Sequence, residues 1–182
     1  MFFPLFVNLK DKDVLVVGAG IVAFRKIEKL IEFKPNITVV APKAIPEILT
    51  LHKEGIIDFR KRKFKKSDLR GKFMVIVAAD DIFLQKRIYS YCVKYNIHCN
   101  SVDEKNFCTF LFPSIIKRSH LVIAINTSGE APSVSKYMRT KIEKIIPENI
   151  EEVLSTVSKL RRQKNLSSSD INDITKKLLE EG

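Results

Sequence analysis

The sequence predicts an α/β fold in which short parallel strands alternate with helices, followed by a smaller and more helical C-terminal part. Two observations predict it. Short apolar runs rich in β-branched residues recur between segments of helical periodicity as far as residue 102. A G-x-G-x-x-A turn, Gly18-Ala19-Gly20-Ile21-Val22-Ala23, lies between the first such run and the first helical segment.

In chain order, Asp13 to Gly18 reads as a buried strand that stops at glycine. From Ile21 the apolar spacing turns helical: Val22, Ala23, Ile27, Leu30 and Ile31 can share a face until Pro35-Asn36 breaks it. Ile37 to Val40 is a second strand, Ile45 to Glu54 a helix closed by Gly55, and Ile56 to Phe59 a third strand. Phe73 to Ala79 is the most hydrophobic strand, with a helix through Leu84 to Tyr95 and a strand from Ile97 to Val102 after it. Beyond Phe112-Pro113 the pattern changes. Leu121 to Ile125 reads as a strand, and Ser133 to Ile146, Glu151 to Gln163 and Ser169 to Glu181 as helices.

Composition narrows the function class. With 45% hydrophobic and 29% charged residues, the 182-residue chain is too apolar for disorder. No apolar run reaches the ~20 residues a bilayer span needs. The apolar Met1 to Leu9 lacks a basic leader and a small-residue cleavage site, so it reads as part of the fold, and a cytoplasmic protein is expected. Cys92, Cys99 and Cys108 include no C-x-x-C pair, and with His52, His98 and His120 scattered they predict reduced, mostly buried thiols and no metal site. The net charge of +11 is uneven. Residues 1–145 hold 26 Lys/Arg against 14 Asp/Glu, a net of +12, and residues 146–182 hold a net of −1. Such a body suits an anionic partner: nucleic acid, an acidic membrane surface or a polyanionic small molecule.

The glycine turn carries the first chemistry. Gly18 permits the tight turn, Gly20 lets a pyrophosphate approach the backbone, and Ala23 lets helix and sheet pack closely. The free N–H groups and helix dipole then stabilise the phosphates. A dinucleotide-binding sheet usually has an acid after its second strand. Here Val40-Ala41-Pro42-Lys43 stands there, and Lys43 reads either as a 2′-phosphate ligand or as a surface lysine. Asp80-Asp81, after Ala79, either lie near the cofactor or cap the next helix. Asp103 follows a strand's carboxyl end, where a carboxylate either accepts a proton or caps a turn. Arg60 to Lys66 (RKRKFKK) is a nucleic-acid contact with Phe64 as stacking aromatic, or a solvated edge and loop; the second reading is favoured. The segment Ser128 to Pro132 precedes a helix start suited to a carboxylate, and Ser133 equally to ordinary capping.

These residues resemble the precorrin-2 dehydrogenase family, which includes stand-alone dehydrogenases and the N-terminal module of siroheme synthase. Phe3-Pro4-Leu5-Phe6-Val7-Asn8-Leu9 is similar to its P-L-F-x-x-L start, and Val16 to Lys26 resembles V-G-G-G-x-V-A-x-R-K, where Arg25-Lys26 is the specific part. Thr38 to Pro42 fits members that bind NAD without an acid at that place. Val77-Ala78-Ala79-Asp80-Asp81 is similar to A-A-T-D-D, and Asn100-Ser101-Val102-Asp103 to N-V-V-D, which leads to Phe110-Leu111-Phe112-Pro113. Ser114 to Arg118, Leu121 to Ile125, Ser128 to Pro132 and Met138-Arg139 continue the likeness in order to about residue 145. The family's usual proline near Lys105-Asn106 is replaced, Ser119-His120 stands for R-G, Ala131 for a serine, and Asn126 lies where serine is frequent.

The resemblance implies a Rossmann-type NAD-binding domain (1–113), a small α+β dimerisation and substrate segment (114–146) and a C-terminal helical segment (147–182). It implies oxidation of precorrin-2 to sirohydrochlorin in siroheme biosynthesis by a homodimer, with Asp103 catalytic. Gly18, Gly20, Ile21, Val22, Ala41, Pro42, Lys43, Ala79 and Asp80 would line NAD. Lys105, Lys117, Arg118, Ser128 and Arg139 would meet the carboxylates of the tetrapyrrole, the small-molecule partner; neither nucleic acid nor a membrane is expected. Two alternatives stand beside this reading: a bifunctional dehydrogenase and sirohydrochlorin ferrochelatase, and a non-catalytic NAD-sensing module.

Overall fold

A computed structural model describes residues 2–102, 104–163 and 166–180. The chain divides into two compact units, 1–111 and 112–182. In the first, β1 (Asp13–Val17), β2 (Asn36–Ala41), β3 (Asp58–Lys61), β4 (Met74–Val77) and β5 (His98–Ser101) form one parallel sheet in the order β3-β2-β1-β4-β5. Its helices are α1 (Ile21–Ile31), α2 (Pro46–Lys53) and α3 (Ile82–Lys94). The order reverses at β1, which lies between β2 and β4, so α1 leaves the sheet where a doubly wound fold opens its ligand crevice.

The inner strands β1, β2 and β4 read as near-continuous apolar runs because both sheet faces are covered there, whereas the edge strand β3 is largely exposed. Leu15, Val17, Val40, Val75, Val77 and Cys99 form one cluster with Ile88 and Cys92 of α3. Register places Val16 beside Val39 and Ile76 on the opposite face, which Val14 shares, and all four are wholly buried. Each such side chain contributes about 1.5–3 kcal/mol over its exposed state. On α1 the buried positions Ala23, Ile27 and Leu30 follow the i, i+4, i+7 rule.

The second unit holds an antiparallel hairpin of β6 (Ser114–Arg118) and β7 (Leu121–Ile125), with α4 (Pro132–Ile145), α5 (Ile150–Arg162) and α6 (Ser168–Glu180). The strand β6 is not among the expected elements. Its hairpin turn, Ser119-His120, lacks glycine, and Ser119 itself takes a φ of 50°. The helix α4 begins at Pro132, so Ser133 lies inside it and is not its cap; the N-cap position is Ala131, whose N–H donates to Thr127 Oγ1 at 3.2 Å.

The basic run 60–66 is organised by one carboxylate. Asp68, 6% exposed, accepts both Arg62 guanidinium nitrogens at 2.8 and 2.6 Å and the Lys65 N–H at 2.8 Å, with Arg60 at 4.0 Å. Phe64 packs against the core instead of offering a stacking face. The Arg62 bond, more than any other cause, holds the Asp68 carboxyl below its ordinary range. A depressed carboxylate stabilises the fold above its unfolded pKa, about 3.9, and that contribution disappears as pH falls through the folded value. Asp68→Asn is therefore expected to lose about 1–2 kcal/mol at pH 7, because Arg62 stays partly solvated, and to lose less than the parent on acidification below about pH 4. Urea denaturation at the two pH values checks this.

Candidate dinucleotide site

The site is built at the carboxyl edge of the parallel sheet. Gly18 ends β1 with a φ of +112°, and a Cβ there would stand 2.1 Å from the Ala78 carbonyl oxygen. Only glycine fits both the backbone angle and the contact. Backbone bonds tie the surrounding turns together: Gly18 N–H to Val40 O (3.0 Å), Ile45 N–H to Ala19 O (3.1 Å) and Ala78 N–H to Val17 O (2.8 Å).

Gly20 is different. Its backbone is extended, φ −92° and ψ −171°, and an added Cβ would meet nothing within 4 Å. It is the N-cap of α1 without a side-chain cap, and the first helical bond runs from Phe24 N–H to Gly20 O at 3.0 Å. The amides of residues 21–23 thus have no acceptor within the helix. No acidic residue occupies that first turn, and Ile21 and Val22 are exposed at its mouth. Open space over glycine, free amides and a helix dipole suit a pyrophosphate. The nicotinamide dinucleotide therefore fits the residues present.

The flanking turns carry the other expected cofactor residues. Ala41 ends β2 in the core, and Pro42 and Lys43 are exposed beyond it. Ala79 is half-buried and its carbonyl accepts Gln85 Nε2 at 2.8 Å. The two acids after it divide: Asp81 caps α3 by accepting the Leu84 N–H at 3.0 Å, and Asp80 is exposed.

A residue that sequence reading missed joins this turn to the neighbouring strand end. Gln85, 4% exposed, donates to Ala79 O and accepts from Ser101 Oγ at 2.9 Å. Val102 N–H donates to Val77 O at 3.0 Å, so the ends of β4 and β5 stay level. Asp103, next in the chain, lies outside the described residues. Below that end, Asn100 Nδ2 donates to Phe110 O at 3.1 Å, and Lys26 on α1 is half-buried, which lowers its pKa.

The expected carboxylate-binding residues fall in both units. Lys105 is in a 3₁₀ turn of the first. In the second, Arg118 Nη2 and Arg139 Nη1 converge on Glu143, at 3.8 and 2.7 Å, while Lys117 and Ser128 are exposed. The Ser128 N–H donates to Asn126 Oδ1 at 2.5 Å. Among the described residues no group of three His, Cys, Asp or Glu side chains is placed to hold a metal ion. The cysteines are free thiols, Cys92 and Cys99 buried and Cys108 half-buried.

The family profile described as "Putative NAD(P)-binding" matches residues 5–114, which include the whole parallel sheet. The chain belongs to this NAD(P)-binding family. It is 42% identical over 149 residues to a siroheme synthase of Pseudoalteromonas atlantica, covering 82% of the chain and 32% of that protein. To the siroheme synthase of Buchnera aphidicola it is 37% identical over 160 residues, 88% of the chain and 34% of that protein. The chain thus spans about a third of the length of the curated relatives it matches. A solved structure titled SirC, precorrin-2 dehydrogenase, shares its fold with a TM-score of 0.79 at 24% identity, covering 97% of the chain and 89% of that structure.

The two glycines separate folding from binding. Gly18→Ala is expected to destabilise the protein by several kcal/mol, through the clash with Ala78 O and the positive φ. Gly20→Ala should leave the melting temperature within a few degrees, since a modest capping loss is offset by reduced freedom of the unfolded chain. It should weaken dinucleotide binding about tenfold or more, roughly 1.4 kcal/mol. Thermal melts and calorimetric titration of the pair check both statements.

Proposed function

We propose that the chain oxidises precorrin-2 to sirohydrochlorin with NAD, in the synthesis of siroheme. The observation that carries this reading is the open, uncapped turn at Gly20, level with the end of β5, in a chain 42% identical to a siroheme synthase over 149 residues. Anionic substrate and cofactor also suit the net charge of +11.

NAD, when bound, supplies the hydride acceptor. The backbone of residues 18–22 holds its pyrophosphate, with Ala41, Pro42, Lys43, Ala79 and Asp80 lining the rest. NAD is favoured over NADP because the turn after β2, residues 41–44, offers one cation, an exposed lysine, to a 2′-phosphate. Asp103 is the base that takes the proton lost from the macrocycle as its hydride leaves. The balance is precorrin-2 plus NAD giving sirohydrochlorin, NADH and one proton. Lys105, Lys117, Arg118, Ser128 and Arg139 are the candidates for the substrate's carboxylates. At Arg118 and Arg139 such a carboxylate would compete with Glu143.

The protein works as a cytoplasmic homodimer in this reading, joined through residues 114–146. In its support, Val134, Tyr137, Met138 and Ile145 leave an apolar stripe of α4 exposed.

Asp103→Asn keeps the side chain's size and removes its basicity. Turnover of precorrin-2 is expected to fall by roughly 10²–10⁴-fold with NAD affinity unchanged. Near-full turnover in a variant that still binds NAD removes Asp103 from the role of base.

A further inference from the structure

The half-buried thiol of Cys108 has no part in the proposed reaction. It follows a 3₁₀ turn (Lys105–Phe107) that leads the chain back along β5. That return is anchored by Thr109, whose N–H donates to Cys99 O at 2.7 Å and whose Oγ1 accepts the Cys99 N–H at 2.8 Å. The Cys108 sulfur accepts the Ser101 N–H at 3.3 Å and Asn100 Nδ2 at 3.5 Å. Its hydrogen has two acceptors within reach, Ser101 O at 3.2 Å and Glu104 O at 3.4 Å. One side chain therefore holds the backbone on both sides of position 103.

We propose that Cys108 is a positioning residue: its thiol ties the backbone of Ser101 to that of Glu104, the described residues that flank the proposed base, and the chemical step depends on that tie. This rests on the dehydrogenase reading above. Sulfur is a weak donor and acceptor, so the control lies in the number and placement of its contacts. Burial raises the Cys108 pKa, which keeps the hydrogen on sulfur and the donor available at neutral pH. The Ser101 N–H bond, and after it the Lys26 ammonium, oppose that rise only in part. The same backbone is tied by Ser101 Oγ through Gln85 to Ala79, so the thiol completes a frame that connects it to the cofactor turn.

The frame makes a separable prediction. Geometry of the base affects the chemical step, while the dinucleotide cradle at residues 18–22 is made of other atoms. Cys108→Val fills similar volume without hydrogen bonds, and Cys108→Ser keeps a donor and an acceptor. Steady-state rates, NAD titration and amide hydrogen exchange of residues 101, 102 and 104 are measured on both and on the parent. Cys108→Val is expected to lower kcat roughly ten- to a hundredfold with NAD affinity unchanged, and to speed exchange of those amides about tenfold or more. Cys108→Ser is expected to stay within a few-fold of the parent in both readouts. Should Cys108→Val fail to fold, Cys108→Ala is read in the same way. Parent-like exchange and kcat without the hydrogen bonds overturn the proposal, as does a folded Cys108→Ser as impaired as Cys108→Val. If the parent itself does not oxidise precorrin-2, the functional reading falls, and the exchange rates still decide whether the thiol holds that backbone.

Discussion

The contact between Gly18 and the Ala78 carbonyl is the constraint on which the carboxyl edge of the sheet depends. At that point the backbone of β1 turns away toward α1 against the backbone leaving β4, with no room for a side chain. Because the turn is that tight, α1 starts at the sheet edge itself and its unpaired amides open there. The parallel register then brings the ends of β2, β4 and β5 to the same level.

The forces holding this edge differ from those holding the sheet. The sheet is stabilised by burial of β-branched side chains on both faces. The edge is held by polar links between turns: Gln85 between Ala79 and Ser101, Asp81 at the start of α3, and the Cys108 thiol between Ser101 and Glu104. Such links are individually modest. They set geometry more than stability, as a site that orients a bound dinucleotide needs. Hydrogen bonding with Cys92, then burial, keeps the Cys99 thiol protonated, so the inner pair of cysteines behaves as core.

Most of the parallel unit was legible in the chain because its signals are local. The apolar runs locate β1, β2, β4 and β5, and the G-x-G turn locates the start of α1 to the residue; β3 lies two residues later than its apolar run, at Asp58–Lys61, and α1 ends at Ile31, short of Pro35. What was not legible depends on partners distant in sequence. The strand β6 escaped notice because its hairpin turns on Ser119 instead of a glycine pair. Ser133 is not the cap, because α4 starts one residue earlier, at Pro132. The role of Asp68 within a basic run, the bridge made by Gln85 and the meeting of Arg118 and Arg139 at Glu143 follow from side chains the fold brings together. Of the pair of acids after β4, spacing alone left capping and cofactor contact equal; the Leu84 N–H assigns capping to Asp81.

In the proposed reaction this edge holds a nicotinamide dinucleotide against an oxidisable tetrapyrrole. Anaerobic mixing of the purified protein with precorrin-2 and NAD, followed at the NADH absorbance band, tests it most directly. NADH and sirohydrochlorin are expected to rise together in equal amounts, faster with NAD than with NADP. Precorrin-2 consumed without NADH, or no reaction by protein shown to bind the dinucleotide, would contradict it.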